Sequence, residues 1–274
     1  MLLLRALVLL PVIALAPIQV PAPVVDPVPV VDPAKDRLEK SPRHHEWIEL
    51  KHGERTLNCF VAYPQTKGKV GAVIVIHENK GLNDWARAVS DEFAEAGFIA
   101  IAPDLLSGAG PEGGKTDSFA STDAATKALY KLEPAQVTAD LNAVADYVLK
   151  LEACDKKLTV AGFCWGGTQS FAFASERKGL KAAFVFYGSA PKDEVLAKIE
   201  CPIYGFYGEN DGRITATVEA TAVAMKKHEK LFEPVTFAGA GHGFMRAGAA
   251  PDALEANKSA RKDAWTRVRL LLAR

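Results

Sequence analysis

Three residues of this chain have the types and spacing for acyl-transfer chemistry: Cys164, Asp211 and His242. Cys164 lies in Gly-Phe-Cys-Trp-Gly at residues 162–166, directly after the apolar run 158–161. Glycines two positions either side of a nucleophile mark a strand that bends abruptly into a helix. The central residue is held in a strained backbone conformation that lifts its side chain into a cleft, and a Cβ two positions away would crowd it. The Trp165 amide and the N-terminus of the helix opening near Gly166 then flank the sulfur, where they favour a thiolate and can donate to an oxyanion. A thiol nucleophile needs a base, and the base needs an orienting acid. His242 stands in Gly-Ala-Gly-His-Gly-Phe at 239–244, and Asp211 in Gly-Glu-Asn-Asp-Gly at 208–212, with Glu209 as the alternative acid.

Those loops need a scaffold that brings them to one edge. Residues 72–76 and 158–161 are continuous apolar runs of the kind found in strands buried on both faces of a parallel sheet. Residues 98–102, 182–186, 203–207 and 235–237 supply four more strands. Residues 47–50 and 57–63, joined by a turn at His52 and Gly53, read as an antiparallel edge. Helices fall between most of these strands. One is capped by Asn83 or Asp84 and runs to about Ala96, and helical periodicity returns near Thr122. Another starts at Pro134, with Val137, Leu141, Val144, Val148 and Leu151 at helical spacing, and the last covers about 252–272. Eight strands with helices between them predict a right-handed, doubly wound, mostly parallel sheet with helices on both faces. The chain order nucleophile, acid, histidine is that of the α/β-hydrolases. The irregular segment 105–121 follows a strand end and is expected to form a pocket wall that runs on to Lys131 and carries Phe119 and Tyr130.

Two hundred and seventy-four residues suffice for one large domain. With 33 basic and 33 acidic residues and no basic stripe, nothing points to nucleic acid as a partner. Residues 1–16, basic at Arg5 and then apolar, are expected to be a signal peptide for a periplasmic or secreted protein, cut after Ala14, since Pro17 opposes a cut after Ala16, or retained as an anchor. The proline-rich stretch that follows, with Val-Val-Asp-Pro at 24–27 and again at 30–33, predicts a semi-rigid linker and lead-in over 17–44, ahead of a catalytic domain at 45–274. Cys59, Cys154 and Cys201 read as small core residues, Cys59 in a strand and Cys154 near a helix end, with no metal-ligand spacing among them. No cofactor or metal is expected, and the chain is expected to be a monomer. His44, His45, His52 and His228 read as solvated, and His77 as a loop hydrogen-bonder with a catalytic role as the alternative.

Over residues 45–272 the chain resembles the dienelactone hydrolases (carboxymethylenebutenolidases). The resemblance is carried by Gly-Phe-Cys-Trp-Gly-Gly at 162–167, His-Glu-Asn-Lys-Gly-Leu at 77–82 and Gly-His-Gly-Phe at 241–244. It implies a Cys164, His242, Asp211 triad, with Glu78 as a carboxylate contacting the resting thiol and an oxyanion hole from the amides of Trp165 and Asn79. A glutamate beside the thiol would disfavour a free thiolate until substrate displaces it. Arg246 resembles a position that binds a substrate carboxylate, a task an arginine fork suits. Phe244 and Tyr130 are further candidates for substrate contact. The family's second arginine is missing, since none occurs between Arg87 and Arg177; Lys115, Lys127 or Lys131 could substitute.

The expected activity is hydrolysis of a small ester or lactone through a thioester intermediate. The alternatives are a general carboxylesterase for neutral esters and a non-catalytic binding protein on the same fold. An inert Cys164 and no ester turnover would mark the binding protein.

Overall fold

The computed structural model describes residues 32–274. Its centre is an eight-stranded sheet in the order β1-β2-β4-β3-β5-β6-β7-β8. The strands are β1 (His45–His52), β2 (Arg55–Ala62), β3 (Val70–Ile76), β4 (Ile99–Pro103), β5 (Cys154–Phe163), β6 (Leu180–Phe186), β7 (Ile203–Gly208) and β8 (Phe232–Phe237). β1 pairs antiparallel with β2 and β2 with β4, and every pairing from β4 to β8 is parallel. This is the expected α/β-hydrolase arrangement.

The helices are α1 (Pro33–Lys40), α2 (Asp84–Glu95), α3 (Thr122–Leu129), α4 (Pro134–Val148) and α5 (Trp165–Glu176). Beyond them come α6 (Asp193–Leu196), α7 (Gly212–Thr215), α8 (Val218–Lys227), α9 (Phe244–Ala247) and α10 (Glu255–Leu272). Alternate residues of a strand face opposite sides of the sheet, and the core divides accordingly. Val73 and Val75 join Phe93 of α2 and Trp265 of α10 on one face. Ile74 and Ile76 join Leu141 of α4 and Phe171 of α5 on the other. The strands between them must be apolar on both sides, which is why β3 and the C-terminal half of β5 read as unbroken apolar runs.

The same division positions the site. β3 and β5 are neighbours, yet the helix after β3 covers one face and the helix after β5 covers the other. Their connections part at the carboxyl edge and leave a crevice there, the place where open α/β sheets bind ligands. The 77–82 loop leaves from β3 and the Cys164 turn from β5.

Several expectations are corrected. The leader and most of the proposed linker lie outside the described residues, but the lead-in does not extend as linker to 44. Pro33 opens α1 with Asp32 as its cap, and Ala34 is buried in the core. The helix is held to α2 by Asp91, whose carboxylate meets Arg37 at 2.8 Å and Arg43 and His45 at 2.7 and 2.8 Å. His45, His52 and His228 are therefore not simply solvated. His52 pairs in the same way with the buried carboxylate of Asp140, and His228 pairs with the exposed carboxylate of Asp193. Cys154 opens β5 rather than ending a helix. It is a free thiol buried in the core, as are Cys59 and Cys201. Helices α6, α7 and α9, four residues each, carry too little periodicity to be read in advance.

Candidate active site

At the end of β5 the chain turns so tightly that only glycine fits on either side of the cysteine. A Cβ on Gly162 would lie 1.9 Å from the carbonyl oxygen of Gly166, and one on Gly166 would lie 2.4 Å from the carbonyls of Ile76 and His77. Cys164 itself takes φ 56°, a left-handed value that costs a non-glycine residue of order 1–3 kcal/mol. The strain lifts the thiol out of the core to a half-buried position at the N-terminus of α5. The first-turn amides of α5, Trp165 among them, have no partner within the helix and face that end.

The loops after β7 and β8 meet beside it. His242 Nε2 is 3.1 Å from Cys164 Sγ, and His242 Nδ1 is 2.5 Å from Asp211 Oδ2. Asp211 is buried and is fixed at the start of α7, while His242 is a third exposed. The imidazole is pushed up to about 9, chiefly by its hydrogen bond to Cys164 and then, against the opposing effect of burial, by Asp211. A proton that reaches the ring from the sulfur is therefore held readily, between Cys164 and the Asp211 carboxylate. Such a relay can take a proton from a thiol and return one to a leaving group or water. Glu209, the alternative acid, is turned away: its Oε2 accepts from the Gly239 amide at 2.8 Å.

Glu78 does not make its expected contact with the thiol. It is buried, Oε2 accepting from Arg246 Nε at 2.9 Å and Oε1 from the Tyr187 hydroxyl at 3.2 Å. A desolvated carboxylate is stabilised by a cation and by hydrogen-bond donors, and Arg246 and Tyr187 supply both while His242 takes the sulfur. Tyr187, which no motif signalled, also sets its ring edge-on to His242 at 5.0 Å between centroids. The signal available in the sequence was its place at a strand end, one residue before Gly188.

The remaining candidates separate. Phe244 is fully buried, packed on Tyr187 and Phe237, and so supports the site from beneath rather than contacting a ligand. Tyr130 ends α3 with 62% of its surface exposed. Asn79 lies in the loop after β3, its carbonyl accepting from Thr126 Oγ1 at 2.9 Å. His77 is buried, donates from Nδ1 to the Glu78 carbonyl at 2.8 Å and is stacked on Trp165; burial pushes it down, toward the neutral ring.

A groove of about 1150 Å³ lies beside the site, lined by Trp47, Leu82, Arg87, Lys115 and Arg246 among others. Neither Cys164 nor His242 lines it; Arg246, which lines it, is also the residue that pairs with Glu78. Of the three lysines considered as second cations, Lys115 reaches this groove, while Lys127 and Lys131 are exposed on and after α3.

Comparisons with known proteins point to one family. The model of the dienelactone hydrolase family matches residues 57–274. A protein of Salmonella typhimurium assigned as a carboxymethylenebutenolidase is 31% identical over 223 residues, covering 77% of this chain and 80% of its own. One of Bradyrhizobium, assigned as a 2-oxo-3-(5-oxofuran-2-ylidene)propanoate lactonase, is 27% identical over 213 residues, covering 73% of this chain and 83% of its own. A crystal structure from Klebsiella pneumoniae assigned as a dienelactone hydrolase superposes with a TM-score of 0.75 at 26% identity, over 85% of this chain and all of that one.

Proposed function

This chain belongs to the dienelactone hydrolase family, and we propose that it hydrolyses a small ester or lactone through a thioester formed on Cys164. The observation that carries the reading is the unbroken chain of short contacts from Cys164 Sγ through His242 to Asp211. The sulfur attacks the acyl carbon as its proton passes to His242 Nε2. The carbonyl becomes a tetrahedral oxyanion, held by the amides of Trp165 and Asn79, and collapse expels the alcohol with the proton from His242. Water, deprotonated by His242, then attacks the thioester, and the thiol leaves with its proton restored. Asp211 keeps the ring oriented with Nε2 toward the sulfur and stabilises the imidazolium.

Arg246 is the proposed partner for a carboxylate on the substrate. Its Nε is committed to Glu78, but a guanidinium has five N–H donors in a planar fork. An anionic substrate would compete with Glu78 for it. This favours a carboxylate-bearing lactone over a neutral ester, and the neutral-ester carboxylesterase remains the second reading because the side chain already has an anion to hold. Export to the periplasm or beyond, which rests on the apolar, basic-started first sixteen residues, and a monomeric state complete the proposal.

The test is turnover of a dienelactone and of a neutral p-nitrophenyl ester by wild type and Cys164→Ala. Loss of both activities in the variant supports Cys164 as nucleophile. A strong preference for the anionic lactone supports Arg246, and turnover of the neutral ester alone sinks that assignment. Equal rates for wild type and variant overturn the thioester route.

A further inference from the structure

Tyr187 joins the two halves of the site. Its hydroxyl donates to Glu78 Oε1 at 3.2 Å, and its ring meets His242 at 5.0 Å and Phe244 at 5.4 Å. It follows β6 with φ 41°, a left-handed value for a bulky side chain, and its amide donates to the Phe206 carbonyl at 2.8 Å. The turn has no slack. A Cβ on the next residue, Gly188, would sit 2.3 Å from the backbone of Gly167 in α5. Strain of this kind persists only where surrounding packing fixes the residue, and Tyr187 is fully buried among Phe163, Phe186 and Phe244.

Glu78 has a donor on each carboxylate oxygen, and the two donors differ in freedom. Arg246 is 42% exposed along its side chain and can swing toward a ligand. Tyr187 cannot move. We infer that Tyr187 is a positioning residue that sets specificity: it stays on Glu78 when a substrate carboxylate draws Arg246 away, and so makes that exchange affordable for the buried anion. This rests on the proposed role of Arg246 as the carboxylate partner. Without the hydroxyl, Arg246 leaving Glu78 would strand a desolvated carboxylate with no donor, so the arginine would be held back. Anionic substrates would suffer and neutral ones would not.

The experiment uses the full-length protein and two alkylating probes of similar size, iodoacetate and iodoacetamide. In each reaction Cys164 Sγ displaces iodide from the reagent carbon, with the thiol proton passing to His242. The other three cysteines are buried, and Cys164→Ala gives the background. The readout is the ratio of the iodoacetate rate to the iodoacetamide rate in wild type, Arg246→Gln, Tyr187→Phe, Glu78→Gln and Glu78→Gln/Tyr187→Phe. Arg246→Gln and Tyr187→Phe are each expected to lower the ratio, Tyr187→Phe by about tenfold, the order of a hydrogen bond to a charged group. In the Glu78→Gln background, Tyr187→Phe is expected to leave the ratio within twofold, because no anion is left to strand. A purely structural role for the hydroxyl would slow both reagents together, and an unmoved ratio overturns the inference. A ratio lowered by Arg246→Gln but not by Tyr187→Phe overturns it alone. A ratio that Arg246→Gln does not move overturns the carboxylate role of Arg246, and this inference with it.

Discussion

Arg246 Nε stands 2.9 Å from Glu78 Oε2, joining a side chain that is 42% exposed to one that is 4% exposed. The pair bridges α9, which follows the histidine loop, and the loop after β3, which are far apart in sequence. The buried end fixes the carboxylate, and the exposed end leaves the guanidinium within reach of a ligand.

Removing the cation should therefore destabilise the fold more than removing both charges. Arg246→Met is expected to cost about 2 kcal/mol, less than a fully buried pair because the arginine end is solvated. The double variant Arg246→Met/Glu78→Gln should recover at least half of that loss. Thermal or urea unfolding of the single and double variants measures it, and equal stabilities for the two would contradict the pairing.

His242 gives the fold a pH dependence with a defined sign. Its folded value is raised to about 9 from an ordinary 6.5, chiefly by Cys164. The folded state thus holds a proton that the unfolded chain releases, and the stabilisation is complete below about pH 6.5 and lost as pH rises through 9. The difference in Tm between wild type and His242→Gln should shrink across that window. A difference that stays constant from pH 6 to pH 10 would count against the coupling.

Gly162→Ala should be among the most damaging single-methyl additions. Its Cβ would lie 1.9 Å from the Gly166 carbonyl oxygen, an atom of backbone that cannot rotate away. Either the protein fails to fold, or Cys164 is displaced and alkylation of its thiol falls by at least tenfold. Gly68→Ala is the control, since nothing lies within 4 Å of its Cβ position. That change is expected to stay within about 0.5 kcal/mol of wild type. A Gly162→Ala protein with normal Tm and normal Cys164 reactivity would refute the elbow geometry.

Local chemistry made a good part of this protein legible in advance. The doubly wound sheet follows from apolar runs too continuous to be half-exposed, and the turn at Cys164 follows from two glycines that leave no room for a side chain. The closeness of Asp211 and His242 follows from two loops leaving the same edge of neighbouring parallel strands, β7 and β8. Each of these rests on sterics or on strand direction, which short stretches of sequence fix.

Other features depended on which partner a buried group found across the fold. Glu78 lies in a recognisable loop, but its choice of Arg246 and Tyr187 over the thiol was decided by desolvation in a pocket assembled from three separate segments. Phe244 was visible as an aromatic neighbour of the histidine, yet only packing against Tyr187 turned it inward. The docking of α1 was hidden for the same reason, because a proline-rich composition says nothing of the carboxylate of Asp91 waiting on α2. The sequence by itself determined the scaffold and the residues able to react. The tertiary structure decided the pairing of charges, since the cost of burying one is set by neighbours that linear spacing does not reveal.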